Sequence, residues 1–91
     1  MEAEKRGIDV IAGVNEALKF RKKNPITSDE KVMSHLMNFL KDKRFAETKL
    51  DVIVGVAYTL KILERKPRTS DKEIIDTVMK NLENILPKEE N

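Results

Sequence analysis

The chain has 91 residues, 37% of them charged and only 4% aromatic, with a formal net charge of +2 and no cysteine. This length allows one domain around a single hydrophobic core. The small excess of positive charge does not by itself predict a nucleic-acid binder, and the lack of cysteine excludes disulfide bonds and thiolate-bound zinc. Because the first residues carry acidic side chains and no long apolar run, we expect no signal peptide and no membrane span, and we expect a cytoplasmic protein.

Apolar side chains recur at helical spacing in four segments of the chain. In the first two segments the apolar stripe consists of Val10, Ile11, Val14, Ala17 and Leu18, and then of Val32, Met33, Leu36, Met37 and Leu40. Pro25 and Pro67 interrupt the pattern, because a proline biases the residue before it away from helical angles. We therefore predict four helices, at residues 3–23, 28–43, 46–66 and 70–86.

A Thr-Ser-Asp sequence follows shortly after each of these prolines and predicts the start of the next helix. Thr27 with Glu30, and Ser70 with Glu73, have the spacing of a capping box, in which the first side chain binds the backbone N–H three residues later. Every connection between helices is short, which favours antiparallel neighbours. The expected fold is all-α, an up-down-up-down four-helix bundle.

The sequence repeats itself with an offset of 42 residues, since residues 9–14 read DVIAGV and residues 51–56 read DVIVGV. The offset aligns residues 8–42 with 50–84 without a gap, and thirteen of the 35 aligned pairs are identical. We interpret this as a duplicated helical hairpin. A period of this length is also typical of HEAT-like repeats, of which two would have to close on themselves or dimerise. The predicted organisation is a single helical domain, residues 1–91, with repeat units at 1–43 and 44–86 and a short polar tail at 87–91.

Gly13 and Gly55 occupy equivalent positions inside predicted helices. An interior glycine costs about 0.5–1 kcal/mol relative to alanine, so its presence in both copies calls for a structural reason. We expect close packing of the first and third helices at these two residues. The alternative is a small-molecule cleft between the same helices.

The two copies differ on the helix flank that faces away from the main apolar stripe. This flank is partly polar in the first helix and apolar throughout in the third; its residues are Ile8, Ala12, Asn15 and Glu16, and then Leu50, Val54, Ala57 and Tyr58. A helix that is apolar on two faces is normally covered on both. We therefore predict a protein interface on the third helix, most simply a homodimer. The alternative is cover from within the chain, by the linker around Phe45, the N-terminal segment or an offset bundle.

Basic residues cluster where the first and third helices end, which is the same pole in an up-down-up-down bundle. The candidate contacts for nucleic acid or another polyanion are Lys22, Lys23, Arg65, Lys66 and Arg68. Binding through them would be non-specific and would weaken steeply with salt. The competing explanation is that basic residues at helix C-termini complement the helix dipole.

No pattern of residues predicts catalysis. His35 has no obvious second ligand or paired carboxylate in the sequence, and Asp9 and Asp51 are expected near helix starts, where acidic side chains complement the helix dipole. There is no glycine-rich phosphate loop and no helical metal motif, so we expect no metal and no cofactor. The predicted function is a non-enzymatic protein-interaction module, most simply a homodimer, with nucleic-acid association through the basic pole as the alternative.

Overall fold

The structure, a computed structural model, describes residues 3–88. Within this range the regular elements are five α-helices and one 3-10 turn, and no strand is present. The all-α prediction is therefore confirmed for the described residues. The predicted tail is described only to Lys88, and residues 1–2 and 89–91 lie outside the described range. The elements are α1 (Ala3–Lys23), α2 (Asp29–Phe39), the 3-10 turn (Lys43–Phe45), α3 (Lys49–Arg65), α4 (Asp71–Lys80) and α5 (Leu82–Ile85).

The second helix ends earlier than predicted, because the linker turns to bury an aromatic ring. The carboxylate of Asp42 accepts a hydrogen bond from the backbone N–H of Arg44 and so caps the 3-10 turn. Phe45 is fully buried and packs against Phe39 at a ring distance of 5.1 Å. The Arg44 guanidinium lies 4.5 Å from the centre of the Phe45 ring. The fourth predicted helix is interrupted at Asn81, which separates α4 from α5.

Serine residues cap both α2 and α4. The Oγ atoms of Ser28 and Ser70 accept hydrogen bonds of 3.2 Å from the backbone N–H groups of Lys31 and Glu73. The spacing predicted from Ser70 is thus confirmed, whereas the cap predicted at Thr27 is wrong by one residue. The backbone N–H of Thr27 instead closes the preceding turn.

Helices α1 and α3 form the central pair of the fold, with the most extensive contact between any two helices. The two helices run in the same direction. Arg6 contacts Asp51 near their N-termini, and Arg21 and Leu63 line one shallow cleft near their C-termini. α2 packs mainly against α1, and α4 packs against both helices of the pair. In a square up-down-up-down bundle α1 and α3 would lie on a diagonal, whereas here they are in direct contact, as the two interior glycines predict.

Two glycines allow this close contact. A Cβ atom added to Gly13 would lie 2.1 Å from Cγ1 of Val52, and one added to Gly55 would lie 2.5 Å from Cγ1 of Val10. Real Cβ atoms do not approach other atoms so closely, so each glycine backbone is in direct contact with a valine side chain of the opposite helix. The side chains that are fully buried around this contact include Val10, Val14, Val32, Leu36, Phe45, Val52, Val56, Ile74 and Val78.

In the part of the chain from residue 3 to residue 88, no helix combines the length and the apolar character that crossing a bilayer requires.

Substitution Gly13→Ala should lower the free energy of unfolding by about 1–3 kcal/mol, because the new methyl group overlaps Val52, whose branched side chain has little rotamer freedom in a helix. Gly7→Ala is the matched control. Its Cβ would lie 3.3 Å from the terminal Cδ1 atom of Leu82, a flexible neighbour, so stability should stay equal or rise by up to about 1 kcal/mol.

Urea unfolding followed by circular dichroism measures both effects. The loss caused by Gly13→Ala should shrink in a Val52→Ala background, where the overlapping methyl group is gone. Equal stability of the Gly13→Ala and Gly7→Ala variants would contradict the close approach.

Candidate functional site

The four residues predicted to form an interface lie along one face of α3. Leu50 is 60% exposed and Ala57 is also exposed, whereas Val54 and Tyr58 are half-buried. Their positions span about 12 Å of helix at 1.5 Å per residue. We call the surface formed by Leu50, Val54, Ala57 and Tyr58 the α3 face. The linker around Phe45 does not cover Leu50.

Exposed apolar residues also occur elsewhere, in a pattern that follows the 42-residue offset. Ile8 is 68% exposed and corresponds to Leu50, while Met79 is 56% exposed and corresponds to Met37, which is 40% exposed. Helical spacing predicts Met37 on a core stripe, and this prediction is wrong because its side chain is largely left open by the rest of the described chain. Ile8 and Met79 line a common shallow apolar cleft between α1 and α4.

The basic pole is divided rather than continuous. Lys22 forms an ion pair of 2.5 Å with Asp71, in the first turn of α4. Lys23 lies at a cleft on the α1–α2 side, whereas Arg65 and Lys66 line a different cleft between α3 and α4. Arg68 borders a shallower depression beside the second of these clefts.

The cleft between α3 and α4 brings together residues that the sequence assigned to two separate surfaces. It has a volume of about 310 Å³. Tyr58 contributes an aromatic ring, Ile62 an apolar side chain, and Arg65 a guanidinium group. Sequence analysis missed this cleft, although these residues are spaced three to four apart and so share one side of α3. We call it the α3–α4 cleft; its lining residues are Tyr58, Lys61, Ile62, Arg65, Lys66, Thr69, Glu73 and Thr77.

His35 has partners that the sequence did not reveal. Its Nε2 atom lies 2.7 Å from Oε2 of Glu16, and its ring stacks on Phe20 at a centroid distance of 4.4 Å and an interplanar angle of 19°. The expectation of an isolated histidine is therefore wrong. The three side chains lie together between α1 and α2, beside an open cleft that Phe20 also lines.

The two repeated aspartates join α1 to α3, and both are buried. Asp51 accepts hydrogen bonds from Nε and Nη2 of Arg6 at 2.8 and 2.9 Å. Asp9 accepts from Oγ1 of Thr48 at 2.6 Å and from Nζ of Lys5 at 3.0 Å. Complementing the helix dipole is therefore only part of the role of Asp9 and Asp51, because the close approach of α1 and α3 also gives each carboxylate a hydrogen-bond donor across the interface.

These bonds occupy both carboxylates. Arg6 also donates a hydrogen bond to the backbone carbonyl of Pro87, which ties the segment after α5 to the same place. Across residues 3–88, no three His, Asp or Glu side chains form a group that could hold a metal ion.

Substitution Asp51→Asn should destabilise the fold by about 3 kcal/mol, because it removes the buried carboxylate that accepts two hydrogen bonds from the largely buried Arg6 guanidinium. The matched control is Asp71→Asn, which breaks an exposed ion pair at the start of a helix and should cost less than about 1 kcal/mol. Thermal and urea unfolding of both variants measure the difference. A similar loss of unfolding free energy in the two variants would contradict the prediction that the buried Arg6–Asp51 pair contributes more to stability than the exposed Lys22–Asp71 pair.

Similarity to known proteins does not identify either surface. Comparison of the chain with models of protein families, with curated protein sequences and with solved structures gave no significant match. The α3 face and the α3–α4 cleft are therefore interpreted from the chemistry of this chain alone.

Proposed function

We propose that this protein is a non-enzymatic interaction module that binds a second copy of itself through the α3 face. The observation that carries the proposal is an apolar stripe on α3 that the rest of the described chain leaves open at Leu50 and Ala57. Between Leu50 and Tyr58 the only charged residue of α3 is Asp51, which is buried against Arg6. The α3 face therefore presents no charge to a partner.

An uncharged stripe fits a second copy better than it fits a charged partner. When two α3 helices lie antiparallel with Val54 near the twofold axis, Leu50 of each chain meets Tyr58 of the other. The same register places the exposed Glu47 near the exposed Lys61 of the second copy. Apolar contact at the centre with opposite charges at the rim is the usual anatomy of a protein interface.

The size of the stripe sets the expected affinity. A stable interface buries about 800 Å² on each partner, and a face about 12 Å long supplies only part of that area. We therefore expect a weak dimer, with a dissociation constant of about 10–100 µM. The absence of cysteine suits a reducing compartment, and we propose the cytoplasm as the location.

We further propose that residues 1–43 and 44–86 are copies of one hairpin, arranged as a four-helix bundle whose diagonal pair is in contact. Support comes from contacts that occur in pairs. Adding 42 to the number of the residue in the first half, and subtracting 42 from the number of its partner in the second half, turns one contact of a pair into the other. The exchanging pairs are Gly13 with Val52 and Gly55 with Val10, and then Arg6 with Asp51 and Thr48 with Asp9. This correspondence identifies Ile8 as the counterpart of Leu50.

Polyanion binding at the basic pole is the weaker candidate. The Asp71 carboxylate is paired with Lys22, and Asp29 lies 3.8 Å from Arg21, so acidic groups are interspersed among the basic ones. Nucleic-acid surfaces normally combine a continuous positive groove with aromatic stacking.

Substitution Leu50→Glu should abolish dimer formation, because it places a charge against the uncharged stripe of the second copy. The matched control is Ile8→Glu, the same change at the counterpart residue of α1, which should leave dimer formation intact. Sedimentation equilibrium from about 10 to about 500 µM measures the mass, which for the wild type should rise from the 10.5 kDa of one chain towards twice that value.

Circular dichroism confirms that each variant is folded. A wild-type chain that stays monomeric over the whole range would overturn the proposal. Loss of the dimer in the Ile8→Glu variant alone would assign the interface to α1 instead.

A further inference from the structure

The α3–α4 cleft has a counterpart in the first half of the molecule, and one end of this counterpart is filled by side chains. At the corresponding place between α1 and α2, the Phe20 ring stacks on His35, and His35 is hydrogen-bonded to the Glu16 carboxylate. The contents of this groove are thus two planar rings and one carboxylate. An open cleft of about 380 Å³ remains beside them, lined by Phe20 but not by His35 or Glu16.

Smaller side chains open the groove in the second half. Forty-two residues after Phe20 and His35 stand Ile62 and Thr77, neither of which has a ring. Both line the α3–α4 cleft, together with Tyr58, which stands where the first half has Glu16. The end of the groove that the Phe20 and His35 rings occupy between α1 and α2 therefore belongs to the open cleft between α3 and α4, which has a volume of about 310 Å³.

The charge of the α3–α4 cleft is also unbalanced. Three cationic residues line it, and within residues 3–88 none of the three forms an ion pair with an acidic side chain. Glu73 is the one acidic residue of the lining, and its carboxylate accepts a hydrogen bond from Oγ of Ser70. An anionic group in the cleft would therefore find unpaired positive charge. The cationic residues are Lys61, Arg65 and Lys66.

The two threonines of the lining do not compete for this role. Oγ1 of Thr77 donates its hydrogen bond to the carbonyl of Glu73, and Oγ1 of Thr69 donates to the carbonyl of Lys66, both at 2.7 Å. Since each hydroxyl has a single proton, neither has one left for a ligand. The cationic side chains are therefore the groups that can bind an anion in the cleft. The ring of Tyr58 and the planar guanidinium of Arg65 are suited to stacking on an aromatic ligand.

We propose that the α3–α4 cleft binds a small aromatic anion, a planar ring system that carries a carboxylate or a similar acidic group. The ring takes the place that aromatic side chains occupy between α1 and α2, and packs on Ile62. The acidic group lies among the cationic residues. This site shares Tyr58 with the α3 face and Lys61 with the rim of the proposed dimer, so its test relies on other residues.

Titration of the isotopically labelled protein with naphthoate, followed by heteronuclear NMR, tests the site. Naphthalenemethanol is the neutral probe of nearly equal shape. Naphthoate should shift the signals of Thr69, Glu73 and Thr77 in a saturable way and bind about tenfold more tightly than the neutral compound, which is the weight of one charge-assisted hydrogen bond.

Substitution Arg65→Gln should weaken naphthoate binding about tenfold, whereas Lys23→Gln, the same loss of charge at the counterpart residue, should leave it unchanged. The double substitution Ile62→Phe with Thr77→His rebuilds the filling of the first half and should prevent binding. The Leu50→Glu variant should bind naphthoate like the wild type, so the outcome for the cleft is independent of the outcome for the dimer.

Equal affinity for the neutral and the anionic probe would overturn the proposal, and so would shifts centred on Ile8 and Met79 instead of the cleft. Displacement of naphthoate by a short single-stranded oligonucleotide at moderate salt would assign the cleft to nucleic acid and would also overturn the proposal of a small aromatic anion.

Discussion

Direct contact between α1 and α3 at two glycines is the constraint on which the rest of the structure depends. The absence of a Cβ atom at Gly13 and Gly55 allows Val52 and Val10 to pack against the opposite backbone. With the two helices so close, the buried Asp9 and Asp51 find partners across the interface, and α2 and α4 pack around the pair. The outer sides of α1 and α3 are then left for α2, for α4 and for other molecules.

Much of the architecture could be predicted from the sequence because it follows from local rules. Helical spacing of apolar residues identifies the helices, Pro25 and Pro67 mark where they break, and the repeated glycines indicate which two helices approach closely. The spacing of apolar residues shows which side of a helix is apolar but not whether a neighbour covers that side. For that reason the spacing predicts Met37 in the core, although its side chain is exposed. The bond between His35 and Glu16 joins two helices, so it depends on their relative rotation, which spacing does not give.

Residues 42 positions apart in the sequence carry different side chains in the two grooves. In the first half, Phe20 and His35 fill one end of the groove between two helices; in the second half, Ile62 and Thr77 leave the corresponding end open. The α3–α4 cleft could not be predicted because it depends on the combined volume of residues from two helices. Its signal in the sequence is that Ile62 and Thr77 stand 42 residues after Phe20 and His35, which have rings. This signal can be interpreted only when the structure shows that these residues line the grooves.

The linker between the hairpins has a consequence for how two chains can associate. Phe45 lies in this linker, is fully buried, and is covered by the Arg44 guanidinium. Exchange of hairpins between two chains would require the linker to straighten and this ring to leave the core, at the cost of exposing a large aromatic surface to water. The linker therefore acts as a lock against domain swapping.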